Sequence, residues 1–227
     1  MTTPALGHGL WLTVLRPPAL EALPLADLGV GWLGVDLQHG QYDVGDLPGL
    51  LRVTGLPVLA RAATTDFAHL GRVLDTGVAG VIVPSVDSVV DVEALVRAVR
   101  LPPTGRRSTG MSRSAVVGAP EHPLLLPMVE TRGALAAARA IAGTPGVDGL
   151  FVGPYDLSLA LGRPGPVDEE VVAAIRTVVD AAREHGVLAG AFSGSRHLDP
   201  HLPPLDLVAV DTDITALRSG VRGLFER

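Results

Sequence analysis

Short apolar runs recur along the whole chain at near-regular spacing, and a helix-like or turn-rich segment follows each one. The runs are 11–16 (WLTVLR), 32–38 (WLGVDLQ), 57–62 (PVLARA), 79–84 (AGVIVP), 124–130 (LLLPMVE), 149–153 (GLFVG), 187–192 (VLAGAF) and 206–210 (DLVAV). Most are continuous rather than alternating, the pattern of strands covered on both faces. Helical spacing of apolar positions, with Asp or Ser at the expected caps, marks 66–76 and 88–100. The same spacing marks 131–142, 168–185, which ends at Gly186, and an amphipathic segment over 213–226. Eight such runs within 227 residues predict one α/β domain over 1–227, a (β/α)8 TIM barrel, with a doubly wound sheet as the competing arrangement. Two segments depart from the alternation. Residues 101–121 form a long polar connection after strand four, expected to be a lid, a binding loop or a mobile segment. Residues 193–204 leave so little room that the seventh helix should be vestigial.

Composition removes several function classes. The chain is 47% hydrophobic and 19% charged, which is incompatible with intrinsic disorder. Its net charge is −6, from 18 basic and 24 acidic residues, with no basic block for phosphate binding. Nucleic acid is therefore not an expected partner. No cysteine is present, so thiolate metal sites and cysteine nucleophiles are excluded. No lysine is present either, which excludes Schiff-base chemistry on a lysine. The start Met-Thr-Thr-Pro has no signal-peptide pattern and no apolar run is long enough for a membrane span, so a cytoplasmic protein is expected. Neither a P-loop nor a dinucleotide fingerprint is found.

A barrel carries its chemistry at the C-terminal ends of its strands. The polar groups there are Asp36, Gln38 and His39 after strand two, Arg61 after strand three and Glu130 after strand five. Tyr155 and Asp156 follow strand six, and Asp211 follows strand eight. Glu130 and Asp156, one strand–helix unit apart, can form a hard-cation site, but spacing alone favours a turn cap at Asp156 and a salt bridge from Glu130 to Arg132 or a neighbour. His39 has the ordinary pKa range of a general base, or is a loop histidine bonded to backbone. Arg61 suits a substrate carboxylate or a developing oxyanion, or a buried ion pair with Asp36 or Glu130, and both can hold at once. The remaining histidines read as surface or structural residues. Asp75, at the end of a helix, calls for a hydrogen-bonding partner that spacing does not identify.

The ordered set of segments Trp32–Gly40 (WLGVDLQHG), Val58–Arg61, Leu74–Gly77, Gly80–Pro84, Pro102–Arg107, Met128–Thr131 and Gly146–Ser158 (GVDGLFVGPYDLS) resembles the HpcH/HpaI aldolases, metal-dependent class II pyruvate aldolases. The resemblance covers nearly the whole chain. It implies a modified TIM barrel and a homo-oligomer, commonly a hexamer built as a trimer of dimers that exchange their last helix. It implies reversible aldol cleavage of a 4-hydroxy-2-oxoacid or 2-keto-3-deoxy sugar acid to pyruvate and an aldehyde, through a pyruvate enolate stabilised by a divalent ion (Mg²⁺, Mn²⁺ or Co²⁺). By matching motif, Glu130 and Asp156 correspond to the metal ligands, Arg61 to the arginine on the keto oxygen, and His39 to the base. Asp75 corresponds to an acid assisting that base from an adjacent subunit or nearby loop, and backbone N–H groups around Gly153 and Tyr155 to the carboxylate cradle.

The chain departs from the pattern at Gln38, where an acidic residue usually precedes the histidine, and at Ser108, where glycine is usual. It also departs at Asp211-Thr212-Asp213, where a glycine usually stands before the last acid. Gln38 and Asp211 are thereby candidate substrate-binding positions. A lyase similar to citrate lyase beta or malyl-CoA lyase, and a barrel that binds an oxoacid without turnover, are the alternatives.

Overall fold

The computed structural model describes residues 5–194 and 196–226. Its strands are β1 (Gly7–Leu12), β2 (Trp32–Asp36), β3 (Val58–Arg61), β4 (Gly80–Val83), β5 (Leu124–Val129), β6 (Gly149–Val152), β7 (Leu188–Phe192) and β8 (Leu207–Thr212). They are hydrogen-bonded in sequence order into a closed, wholly parallel barrel. Around it lie α1 (Pro17–Glu21), α2 (Leu47–Val53), α3 (Phe67–Asp75), α4 (Val89–Val99), α5 (Arg113–Val117), α6 (Arg132–Ala142), α7 (Pro154–Leu161), α8 (Glu169–His185) and α9 (Asp213–Phe225). The (β/α)8 expectation holds and the doubly wound alternative does not.

Two apolar layers hold the fold. The larger lies between strands and helices and is built from Leu, Val, Ile and Ala, with Tyr42. The smaller draws on every strand, including Trp11, Trp32, Ile82, Phe151 and Leu207, and fills the barrel interior. Two tryptophans fit there because β1 and β2 pair them with glycines. In the register Trp32 lies opposite Gly9, and Trp11 opposite Gly34. A Cβ on Gly9 would stand 2.3 Å from the Trp32 ring, and one on Gly34 would stand 2.3 Å from the Trp11 ring.

That pairing also explains why β1 spans Gly7–Leu12 and not 11–16. The backbone N–H groups of Thr13, Val14 and Leu15 donate to the Asp213 carboxylate and not to a sheet ladder. The connection after β4 is longer than usual, as expected, but it is not structureless. It contains α5 and is pinned to the end of α3 by Arg107 on Asp75 and by Arg113 donating to the Thr76 carbonyl. Between β7 and β8, the described residues form only a short 3-10 turn at Asp199–His201, in keeping with a vestigial seventh helix.

Candidate active site

Asp36 ends β2 and Arg61 ends β3, and the two are register partners. Their side chains meet in a paired contact: Arg61 Nε donates to Asp36 Oδ1 at 3.0 Å, and Nη2 donates to Oδ2. The Arg61 guanidinium also lies 5.4 Å from the centre of the Trp11 ring. Burial pushes the Asp36 carboxyl up, but the hydrogen bond and charge of Arg61, with the backbone N–H groups of His39 and Gln38, bring it below its ordinary value. The ion-pair reading of Arg61 is thus realised, and with Asp36 as partner. The pair borders a cavity of about 230 Å³ at the C-terminal mouth of the barrel.

His39 lines the same cavity from the turn after β2, with its backbone N–H donating to Asp36 Oδ1 at 3.0 Å. Opposite lie Gly153, Tyr155 and Asp156, where β6 runs into the first turn of α7. Phe192 and Thr212 close the wall from the ends of β7 and β8. Tyr155 packs edge-on against Phe192 with ring centres 6.1 Å apart.

Glu130 directly follows β5. The backbone N–H of Ser85, a residue at φ 59 after β4, donates to Glu130 Oε1 at 2.7 Å. Burial raises the Glu130 carboxyl, and the Asp156 charge raises it further, against the opposing effects of Ser85, Arg61 and His39. Two mutually repelling carboxylates, one of them half-buried, are a donor set that a hard cation would relieve. Gly153 keeps the space beside them open, since a Cβ there would stand 3.1 Å from Glu130 Oε2. Among the described residues, no group of three or more acidic, histidine or cysteine side chains is arranged to hold a metal.

A model of the HpcH/HpaI aldolase/citrate lyase family matches residues 8–198. The chain belongs to that family. A hydroxypyruvate/pyruvate aldolase of Pseudomonas aeruginosa is 37% identical over 236 residues, covering 96% of this chain and 87% of that protein. A pyruvate aldolase of Rhizobium etli is 34% identical, covering 96% and 91% of the two chains. The crystal structure of an HpcH/HpaI aldolase/citrate lyase family protein from Burkholderia cenocepacia superposes with a TM-score of 0.85 at 29% identity, covering 97% of this chain and 93% of the other. Membership makes the protein a carbon–carbon lyase of the aldolase type, in a class that depends on a divalent metal.

In this HpcH/HpaI barrel, His39, Arg61, Gly153, Tyr155 and Asp156 come together around one cavity, with Glu130 beside it. Gln38 is half-buried, and its backbone N–H donates to Asp36 Oδ1 at 3.0 Å. Asp211 precedes the cavity-lining Thr212 at the place where the β1–β8 register shifts. Burial, then the Asp211 charge, raises the Tyr155 hydroxyl. Asp75 lies elsewhere, at the end of α3, paired with Arg107 at 2.9 Å. The Gly153 N–H donates to the Val129 carbonyl at 3.3 Å, so the contribution of that residue is the missing Cβ.

Asp36 is the site residue that sequence reasoning valued only as a possible partner of Arg61. A carboxylate ending an apolar strand beside an arginine-ended strand was the available signal. The surface-or-structural reading of His69 also acquires a specific content. Its Nε2 accepts the Ala63 N–H at 3.2 Å, two residues after Arg61, and burial lowers its pKa. No helix among the described residues is long and apolar enough to cross a membrane.

Proposed function

We propose that this enzyme reversibly cleaves a short 4-hydroxy-2-oxoacid, or a 2-keto-3-deoxy sugar acid, to pyruvate and an aldehyde. The observation that carries the reading is geometric: His39, Arg61, Gly153, Tyr155 and Asp156 converge on one small cavity at the barrel mouth, with Glu130 against Gly153 at its edge. Names of relatives such as hydroxypyruvate/pyruvate aldolase support the pyruvate half of the reaction.

Glu130 and Asp156 would hold a divalent ion, with Mg²⁺, Mn²⁺ and Co²⁺ all compatible with carboxylate ligands. When bound, the ion supplies Lewis-acid polarisation of the keto group and a template for the oxoacid. Arg61, held in one orientation by Asp36, donates to the C2 oxygen where negative charge develops. His39 takes the proton from the C4 hydroxyl. The C3–C4 bond then breaks, the aldehyde leaves, and the electron pair passes to the C2 oxygen, giving an enolate that is protonated at C3 to pyruvate. The first-turn N–H groups of Tyr155 and Asp156 in α7 have no carbonyl one turn earlier within the helix and suit the oxoacid carboxylate. Gln38 and Asp211 border the aldehyde side and tune which aldehyde is accepted.

Asp75 acts in this reading at the cavity of a neighbouring copy, in a homo-oligomer such as a hexamer built as a trimer of dimers. The exposed Leu217, Val221, Leu224 and Phe225 of α9 supply an apolar face for that assembly.

The test is pyruvate release by metal-stripped protein from a panel of 4-hydroxy-2-oxoacids, with and without each of the three ions. Metal-dependent release is expected, and Glu130→Ala should abolish the metal-induced rise in melting temperature. Absence of release from every substrate, in folded and metal-loaded protein, would falsify the assignment.

A further inference from the structure

The turn that carries His39 is attached on two sides. On the first, the N–H groups of Gln38 and His39 end on Asp36 Oδ1. On the second, Gln41 donates its N–H to the Thr13 carbonyl at 2.8 Å, and the Tyr42 hydroxyl donates to the Leu15 carbonyl. Gly40 is wedged between them: a Cβ there would stand 2.3 Å from the Asp36 carbonyl oxygen and 3.2 Å from that of Thr13. The placement of His39 therefore depends on where residues 13–15 lie.

One carboxylate decides that. Thr13 N and Thr13 Oγ1 donate to Asp213 Oδ1 at 2.9 and 2.5 Å, and Val14 N and Leu15 N donate to Oδ2 at 2.9 and 2.8 Å. Its own helix adds the Ile214 N–H on Oδ1 at 2.8 Å. Consecutive backbone N–H groups closing on one anion form a charge-assisted nest, and each would be left without its acceptor if the anion were removed. Asp213 is 2% exposed and is the buried residue of α9, so the contact serves the β1 loop more than the packing of that helix.

We propose that Asp213 is a positioning residue for His39, acting through the backbone of 13–15 on the turn over 38–42. The inference rests on the assignment of His39 as the base. Asp213→Asn replaces an acceptor oxygen with an amide donor facing N–H groups, while keeping size and shape. The expected result is a loss in kcat of about tenfold or more, with KM for the oxoacid changed by less than about threefold.

The decisive measurement repeats the substitution in a His39→Ala background. If Asp213 acts through His39, D213N lowers the residual turnover of H39A by a factor near one. An equal fold-loss in both backgrounds, or no loss beside an intact His39, overturns the inference. Full turnover by H39A alone overturns the base assignment itself, which is a separate result. Should D213N not fold, Tyr42→Phe removes the hydroxyl bond to Leu15 and enters the same cycle. A smaller kcat loss confined to the His39 background is then expected, and its absence counts against the proposal.

Discussion

Arg61 and Asp36 repeat in their side chains the pairing that the sheet register imposes on their backbones, so the guanidinium at the cavity cannot turn without breaking two hydrogen bonds. Both side chains are largely buried, at 12% and 3% exposure. Removing one partner of a buried pair leaves an uncompensated charge and destabilises by about 3 kcal/mol or more. Asp36→Asn is therefore expected to lower the melting temperature and to reduce kcat/KM for the oxoacid by roughly a hundredfold, since Arg61 is left mobile. Near-normal turnover in a folded D36N protein would show that Arg61 needs no such partner.

The same pair sets a pH dependence whose sign is fixed. The Asp36 carboxyl lies below its ordinary value in the fold, so the folded state holds the ionised form more tightly than the unfolded chain does. The resulting stability is complete above the unfolded carboxylate value of about 4 and is lost as pH falls through the lower folded value. Denaturant midpoints measured between about pH 6 and pH 2 should fall less steeply for D36N than for the wild type. Parallel curves would mean that Asp36 contributes nothing to acid unfolding.

His69 supplies a second titration at higher pH. Burial lowers its pKa, and its neutral ring accepts the Ala63 N–H, so the fold favours the uncharged imidazole. Its stabilising effect is present above the unfolded histidine value of about 6.5 and declines as pH falls through that range toward the folded value. His69→Gln, which keeps an acceptor but does not titrate, should flatten this part of the profile. A wild-type stability that does not change between about pH 7.5 and pH 5.5 would contradict the role.

Much of this was readable from residue order. Strands β2 to β8 announce themselves because a parallel strand buried on both faces must be continuously apolar. β1 was displaced because Gly7-His8-Gly9 does not look like strand, and its glycines make sense only opposite Trp32 and Trp11. The short helices α2 and α7 open with proline in their first turn, which suits a helix start but resembles a loop in sequence. At the site, strand-end position was enough to nominate Glu130, Asp156, Arg61 and His39. The Asp213 clamp was not legible, because its partners lie some 200 residues away at the start of the chain.

Gly153 tests the space beside the two carboxylates. Its φ of −97° is open to any residue, so Gly153→Ala adds a methyl group without backbone strain. That methyl would meet Glu130 Oε2 and Met128 Cε, each at 3.1 Å, and Glu130 would have to give way. We expect a folded protein with divalent-ion affinity and turnover each reduced about tenfold, read by calorimetric titration and pyruvate release. Unchanged ion affinity would place the ion away from Glu130.

Asp75 offers a test of assembly that does not depend on seeing the interface. Within one chain it is held at the end of α3 by Arg107 and is absent from the cavity that His39 lines. If it completes a neighbour's site, Asp75→Asn and His39→Ala should each be nearly inactive as pure proteins. Mixed after partial dissociation, they should regain activity, because an assembly containing both supplies some sites with both side chains intact. At equal amounts with random exchange, about a quarter of the sites pair a wild-type His39 with a wild-type Asp75, and recovery toward that fraction is expected. No recovery in mixtures shown by mass to have exchanged subunits would confine Asp75 to its contact with Arg107, and the acid that assists His39 would then lie within the same chain.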